Sequence, residues 1–237
     1  MLNRDLLYKT TENMGVKITD DAFKRFDIYA ELLFETNKKF NLTAITEPDD
    51  MTVKHFADCL SVFKYVDFKE GARLIDVGTG AGFPGLVIAA ARSDINVTLL
   101  DSTGKKLKAV KDIADNMGLK NVTVLHARAE EAGRSADYRE RFSYATARAV
   151  AQLNVLCEYC LPFVALGGSF ISMKGAAAKE EIGAAKNAVS LLGGKTERVN
   201  TFEIPDCGER CIIEIKKISQ TSPKFPRASA KIAAKPL

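Results

Sequence analysis

The most constraining stretch of this chain is Leu74-Ile75-Asp76-Val77-Gly78-Thr79-Gly80-Ala81-Gly82-Phe83-Pro84-Gly85. A short apolar run ends near an acid and passes into glycines spaced G-x-G-x-G, with Pro84 placed where a helix begins. Glycine lets a backbone turn sharply and approach a ligand with no Cβ in the way. A helix N-terminus behind the glycines offers free N–H groups. Strand, glycine turn and helix in this order predict a parallel α/β sheet with a nucleotide-type cofactor at the carboxyl end of its first strand.

The spacing narrows the choice of nucleotide. The dinucleotide fingerprint G-x-G-x-x-G would place its third glycine, counted from Gly78, on Phe83. A P-loop ends in Gly-Lys-Ser/Thr, and no lysine follows these glycines. An acid two residues before Gly78 repels a pyrophosphate but suits a ligand that carries an ammonium and a sulfonium. S-adenosylmethionine is such a ligand, and Asp-x-Gly-x-Gly-x-Gly resembles motif I of the class I methyltransferases. The rival reading is a NAD-dependent oxidoreductase, against which Phe83 and Asp76 both argue.

The rest of the chain supplies the sheet. Strands are expected at Arg73–Val77, Asn96–Leu100, Val122–His126, near Phe142–Ala147 and at Ser169–Met173, with helical segments between them. Two final β-runs, Lys195–Ile204 and Arg210–Ile218, join through Pro205-Asp206-Cys207-Gly208. Alternating strands and helices predict a mostly parallel sheet, and the last pair adds an antiparallel hairpin, seven strands in all. Helices are expected near Pro84–Ala91, Gly104–Met117, Ala151–Val164 and Ala178–Leu192. Residues 1–70 read as a helical extension: Ala22, Phe23, Phe26, Ala30, Leu33 and Phe34 recur at helical spacing behind Thr19 or Asp20 as cap, and a second segment runs near 50–66. The expected organisation is therefore a helical extension over 1–70, a Rossmann-like domain over 71–218 and a basic, poorly ordered tail over 219–237.

Composition fits that plan. A chain of 237 residues with 46% hydrophobic content can bury a large core. No apolar run approaches the ~20 residues of a membrane span, and the start has no signal-peptide layout. Five cysteines in no dense framework point to a reducing cytosol. Residues 1–70 hold ten Lys/Arg against thirteen Asp/Glu, so the net charge of +4 is carried by the remainder. After Glu214 come Lys216, Lys217, Lys224, Arg227, Lys231 and Lys235 with no acid, a polarity that suits a polyanion partner.

Ligands of open α/β sheets bind at the carboxyl ends of strands, which places the candidate residues. Asp76 is assigned to a methionine ammonium, directly or through water. Gly78 and Gly80 let the loop pass beneath the ligand, and Phe83 packs at its pocket. Asp101 ends the second strand, where an acid accepts ribose hydroxyls; Ser102 and Thr103 follow it, either at the ligand or as helix caps. Ala129 and Glu130 follow the third strand, where a carboxylate accepts an adenine amino group and a backbone N–H bonds the neighbouring ring nitrogen. Arg148 ends the fourth strand, on the side that faces the acceptor. That end lacks the Asn/Asp-Pro-Pro-Tyr/Phe motif of amino-methylating enzymes, and the chain has no Pro-Cys for covalent pyrimidine methylation. Guanine N7 fits what is left: it has an in-plane lone pair and no proton to lose, and arginine bonds guanine O6 or phosphate.

Several segments together resemble the bacterial small-subunit ribosomal RNA methyltransferase G family, also called glucose-inhibited division protein B. They are Asn37–Ile45, Lys54–Leu60, Asp76–Gly85, Asp101–Lys106, Ala127–Glu131, Ala147-Arg148-Ala149, Met173-Lys174-Gly175 and Lys235-Pro236-Leu237. The resemblance implies S-adenosylmethionine-dependent formation of 7-methylguanosine at guanine 527 of 16S rRNA. By position it implies cofactor contacts at Gly78, Phe83, Asp101 to Thr103, Ala129, Glu130 and Arg148. It also implies a cytoplasmic enzyme, monomeric and without membrane or obligate protein partner, acting on 16S rRNA, the 30S subunit or an assembly intermediate. A non-catalytic RNA-binding assembly factor on the same fold is a further alternative.

Weaker signals remain. His55 is read as touching RNA, capping the cleft or packing in a helix, and Lys174 as reaching an RNA phosphate. Cys157-x-x-Cys160 and Cys207-x3-Cys211 have the look of zinc ligands, but the first pair lies in an apolar helix, and no metal is expected.

Overall fold

In a computed structural model, residues 2–148 and 151–237 are described. Ala149 and Val150, beside the Arg148 motif, lie outside them. The chain opens with helices α1 (Arg4–Asn13) and α2 (Asp20–Phe40). Thr19 caps α2 by accepting from the Ala22 N–H, one of the two caps expected. A continuous helical run follows: α3 (Pro48–Met51), a π-helical turn (Thr52–Ala57), α4 (Asp58–Leu60) and α5 (Val62–Tyr65).

The sheet then builds by alternation. β1 (Arg73–Val77), α6 (Gly85–Ala91), β2 (Asn96–Asp101), α7 (Gly104–Asn116), β3 (Val122–His126), α8 (Ala129–Ala132) and β4 (Phe142–Arg148) form its first half. The second half is α9 (Leu153–Cys160), β5 (Val164–Lys174), α10 (Ala178–Leu191), β6 (Gly194–Ile204) and β7 (Gly208–Lys217), and α11 (Ser229–Ala234) closes the chain. The seven strands run in the order β3-β2-β1-β4-β5-β7-β6. β1 to β5 pair in parallel, and β7 pairs antiparallel with both neighbours. This is the sheet the sequence predicts.

Successive strand residues point to opposite faces, and both faces are covered. Leu74, Leu99, Tyr144, Ile171 and Ile212 join one apolar cluster with α2, α6 and α7, to which Leu7, Phe26 and Leu33 belong. Their neighbours Ile75, Leu100, Ala145, Phe170 and Ile213 join the other, against α9 and α10.

Two expectations need correction. The sequence places the fifth strand after Gly167-Gly168, yet β5 begins at Val164, directly behind α9 and a 3-10 turn at Leu161–Phe163. The glycines lie inside the strand, where the register with β4 shifts between Phe142 and Tyr144. A Cβ on Gly168 would sit 2.5 Å from the Ser143 carbonyl oxygen, so glycine here marks a close backbone approach rather than a strand start.

The tail is also ordered. Arg139 donates to the carbonyls of Thr221 at 2.6 Å and Phe225 at 2.8 Å, and Arg134 to that of Pro226 at 2.8 Å. Arg227 pairs at 2.7 Å with Glu158, a fully buried acid on α9. Ile232 of α11 is buried. Lys217 is buried at the root of the tail, 3.2 Å from Glu140 and hydrogen-bonded to Thr221; burial lowers its pKa to about 8. An irregular segment lacks ladder partners for its carbonyls, and arginines 82 to 92 residues upstream supply them, a pairing that composition does not reveal.

The glycine loop locks the fold's centre. A Cβ on Gly85 would lie 2.3 Å from Leu99 Cδ2 and 2.8 Å from Asp76 Oδ2. Gly85→Ala should therefore destabilise the protein by about 1–3 kcal/mol, read as a lowered denaturation midpoint; an unchanged midpoint would show that β2 yields freely to α6.

Candidate cofactor cleft and active site

A cleft of about 490 Å³ opens at the carboxyl ends of β1, β2, β3 and β4. Its floor is the loop after β1. Gly78 and Gly80 adopt φ of 73° and 57°, a region costly for residues with a Cβ. The N–H groups of Gly78 and Thr79 donate to the Leu100 carbonyl, which staples the loop to β2.

Asp76 does not line this cleft. Its carboxylate is fully buried under the loop and accepts from Thr79 Oγ1 at 2.7 Å, Gly85 N at 2.9 Å and Thr146 Oγ1 at 3.2 Å. The assignment of Asp76 to a ligand ammonium is therefore corrected: the geometry makes it the brace of the loop. Burial raises its pKa to about 6, against the pull of those three donors.

One side of the cleft is acidic. Asp101 Oδ2 accepts from Gly80 N at 3.0 Å and Oδ1 from Thr103 N at 2.8 Å, which turns the carboxylate toward the cleft rim. Ser102 lines the cleft beside it, whereas Thr103 is not in the lining and stands at the N-cap position of α7 without a side-chain cap bond. Ala127, Arg128, Ala129 and Glu130 form the wall after β3. The Glu130 side chain is buried, faces the cleft, and bonds no described residue. Its oxygens are not among the buried polar atoms without a partner, so they reach the cleft and are open to a donor there.

The opposite wall is built around Arg148. Its Nη1 donates to Asp58 Oδ2 at 2.9 Å and to the Lys54 carbonyl at 3.1 Å. Its Nη2 lies 3.1 Å from His55 Nδ1, and its Cζ lies 5.1 Å from the centroid of the Phe83 ring. Arginine only donates, so His55 Nδ1 is the acceptor and Nε2 carries the proton, given to Thr43 Oγ1 at 2.8 Å. Burial and the adjacent guanidinium depress the His55 pKa to about 3. Burial works against the charge of Arg148, but its neighbours Cys59, Asp58 and Tyr29 together more than offset it and the pKa ends raised. Asp58 is shared: Arg210 Nε reaches its other oxygen at 3.1 Å. Phe83 stacks between Tyr29 at 4.9 Å and His55 at 4.4 Å, and the Tyr29 hydroxyl donates to the Ala81 carbonyl at 2.7 Å.

Of the residues singled out in the sequence, Gly78, Gly80, Phe83, Asp101, Ser102, Ala129, Glu130, Arg148 and His55 meet in this one cleft. Lys174 does not: its ammonium bonds Glu181 at 2.7 Å and the Ala151 carbonyl, away from the cleft. The phosphate role given to it is corrected, because α10 carries an acid that holds it. Sequence reading missed Thr43, Tyr159 and Ser229, which also line the cleft. Thr43 sits in the Asn37–Ile45 segment that carried the resemblance; Tyr159 and Ser229 carry no local signal. Cys157 and Cys160 are buried in α9, where burial raises both thiol pKa values. Among the described residues no group of three or more His, Cys, Asp or Glu is placed to hold a metal ion, and no helix is long and apolar enough to cross a membrane.

The chain is 44% identical over 235 residues to the ribosomal RNA small subunit methyltransferase G of Clostridium perfringens (strain 13 / Type A), covering 98% of each chain. It is 42% identical over 238 residues to the protein of that name from Alkaliphilus metalliredigens (strain QYMF), covering all of both. The fold resembles that of the 16S rRNA (adenine(1408)-N(1))-methyltransferase of Catenulisporales acidiphilia, with a TM-score of 0.54 at 12% identity over 65% of this chain and 88% of that one. Residues 22–212 match the family model described as GidB, rRNA small subunit methyltransferase G, and the chain belongs to that family.

Proposed function

We propose that this chain methylates N7 of a guanine in 16S rRNA, guanine 527 by family resemblance, with S-adenosylmethionine as donor. The observation that carries this reading is the division of the cleft: two carboxylates, Asp101 and Glu130, on one wall, and a fixed guanidinium, Arg148, on the other. The partner-free Glu130 and the open glycine loop fit an adenosine group. Glu130 would accept from the adenine amino group, and the N–H of Ala129, free at the first turn of α8, would donate to the ring. Asp101 would take the ribose hydroxyls, with Ser102 beside it, and Gly78 and Gly80 leave room for the amino-acid portion. When bound, the cofactor supplies an electrophilic methyl group.

The residues on the acceptor side orient rather than exchange protons. Both nitrogens of His55 are engaged and its ring stays neutral, so it is a poor general base. Guanine N7 needs none, and alignment with the methyl donor is the main demand. Arg148 has five N–H donors, of which three meet protein acceptors. Nε–H and one Nη2–H remain to hold guanine O6 or a phosphate. The enzyme acts as a monomer in the cytoplasm, on 16S rRNA, the 30S subunit or an assembly intermediate.

Labelled S-adenosylmethionine, given with 16S rRNA or 30S particles from a strain lacking the modification, should place label on one guanine at N7. Cofactor binding with no label on either substrate would overturn the reading. Asp101→Asn and Glu130→Gln should each weaken cofactor binding about tenfold or more, the scale of a lost charged hydrogen bond; calorimetric titration reads this, and wild-type affinity would remove the residue from the site. His55 also predicts a pH dependence. Its folded pKa lies below its unfolded value, so the unfolded chain alone takes up a proton as pH falls below 6.5. Stability is full above that value and declines toward pH 3. Between pH 7 and 5, wild type should lose up to about 2 kcal/mol more than His55→Gln; equal losses in the two proteins would mean that the imidazole charges freely in the fold.

A further inference from the structure

A second groove, of about 370 Å³, lies between the last turn of α2 and the outer face of α7. Lys39 and Phe40 line one side, Lys105 and Lys108 the other. Phe40 is 41% exposed, and it is the only aromatic ring among the large apolar side chains exposed on the described surface. A ring left in water at a helix end gains nothing for the core, and an isolated case would need no explanation. Here it is surrounded by cations. Two acids, Glu35 and Asp112, also face the groove, but Glu35 is paired with Lys38 at 2.7 Å. Lys39, Lys105 and Lys108 form no ion pair with a described residue, so three free ammonium groups stand against one carboxylate.

The groove is joined to the cleft by both of its walls. Past Phe40 the chain turns at Asn41 (φ 48°), and the next residues, Leu42 and Thr43, line the cleft. The turn is rigid, because the Asn37 amide bonds both the N–H and the carbonyl of Thr43, each at 2.9 Å. Thr43 in turn holds His55. On the other side, α7 starts two residues after Ser102, which also lines the cleft. An aromatic face and a row of cations therefore flank the cleft, on segments continuous with its lining.

We infer that this groove binds the RNA flanking the target base, with a neighbouring unpaired base stacked on Phe40 and its phosphates on Lys39, Lys105 and Lys108. The inference rests on the RNA-methylating function proposed above and names the surface that holds the substrate. Stacking on an aromatic ring tolerates any base, and lysines neutralise phosphates as point charges whose effect falls with salt. The groove therefore supplies affinity, while the cleft chooses the base.

The test uses the full chain and 16S rRNA, by binding isotherms at several salt concentrations and by steady-state transfer. Phe40→Ala should raise KM for RNA about fivefold or more, with cofactor affinity unchanged, and Phe40→Tyr should restore it. Lys105→Gln with Lys108→Gln should lower the slope of log affinity against log salt by about 1.4, the share of two phosphates on a single strand. Wild-type KM in Phe40→Ala, or an unchanged salt slope in the lysine pair, would overturn the inference. If wild-type protein binds 16S rRNA but transfers no methyl group, the proposed activity falls instead, and the binding isotherms still decide whether the groove holds RNA.

Discussion

The structure turns on one buried carboxylate. Asp76 sits at the end of β1 with no contact to water, and its two oxygens reach the loop, helix α6 and strand β4 together. A buried acid is tolerable only when its lone pairs are met, and the three donors that meet it come from three different elements. The glycine loop can be a ligand cradle because this acid holds it from below. The need for glycine at 85 has the same origin, since a side chain there would press on the acid and on Leu99 at once.

Around that centre the site is completed from far parts of the chain. The N-terminal segment contributes Thr43 from the loop after α2 and His55 from the π-helical turn, and Tyr29 of α2 backs the Phe83 ring. The tail contributes Ser229, kept in place by the Arg227–Glu158 pair. The π-helical turn at Thr52–Ala57 presents the Lys54 carbonyl and the His55 ring to Arg148, side by side. Such widened turns often occur at functional sites. Here the turn lets a helix act as the receptor for an arginine at a strand end.

The strands and the loops that meet in the cleft were legible because their signals are local. The G-x-G-x-G loop, the acid ending β2 and the acidic turn after β3 each lie within a few residues of a strand that periodicity reveals. The misreadings concern long-range partners. Asp76 looks like a ligand residue until Thr146, 70 residues on, is seen to bond it. Lys174 looks free until α10 brings Glu181 against it. The tail looks loose because its proline and lysine content says nothing of Arg134 and Arg139. Gly167-Gly168 resembles a turn, and only the pairing with β4 reveals a strand irregularity.

Asp58 lies between two guanidinium groups, one on β4 and one on β7. One negative charge serves two positive ones, so positions 58, 148 and 210 cannot drift independently. Losing the acid leaves two cations facing each other near the cleft. Losing either arginine shifts the carboxylate wholly onto the other and slackens the wall it held. The trio thereby ties the hairpin at the far edge of the sheet to the shape of the cleft wall.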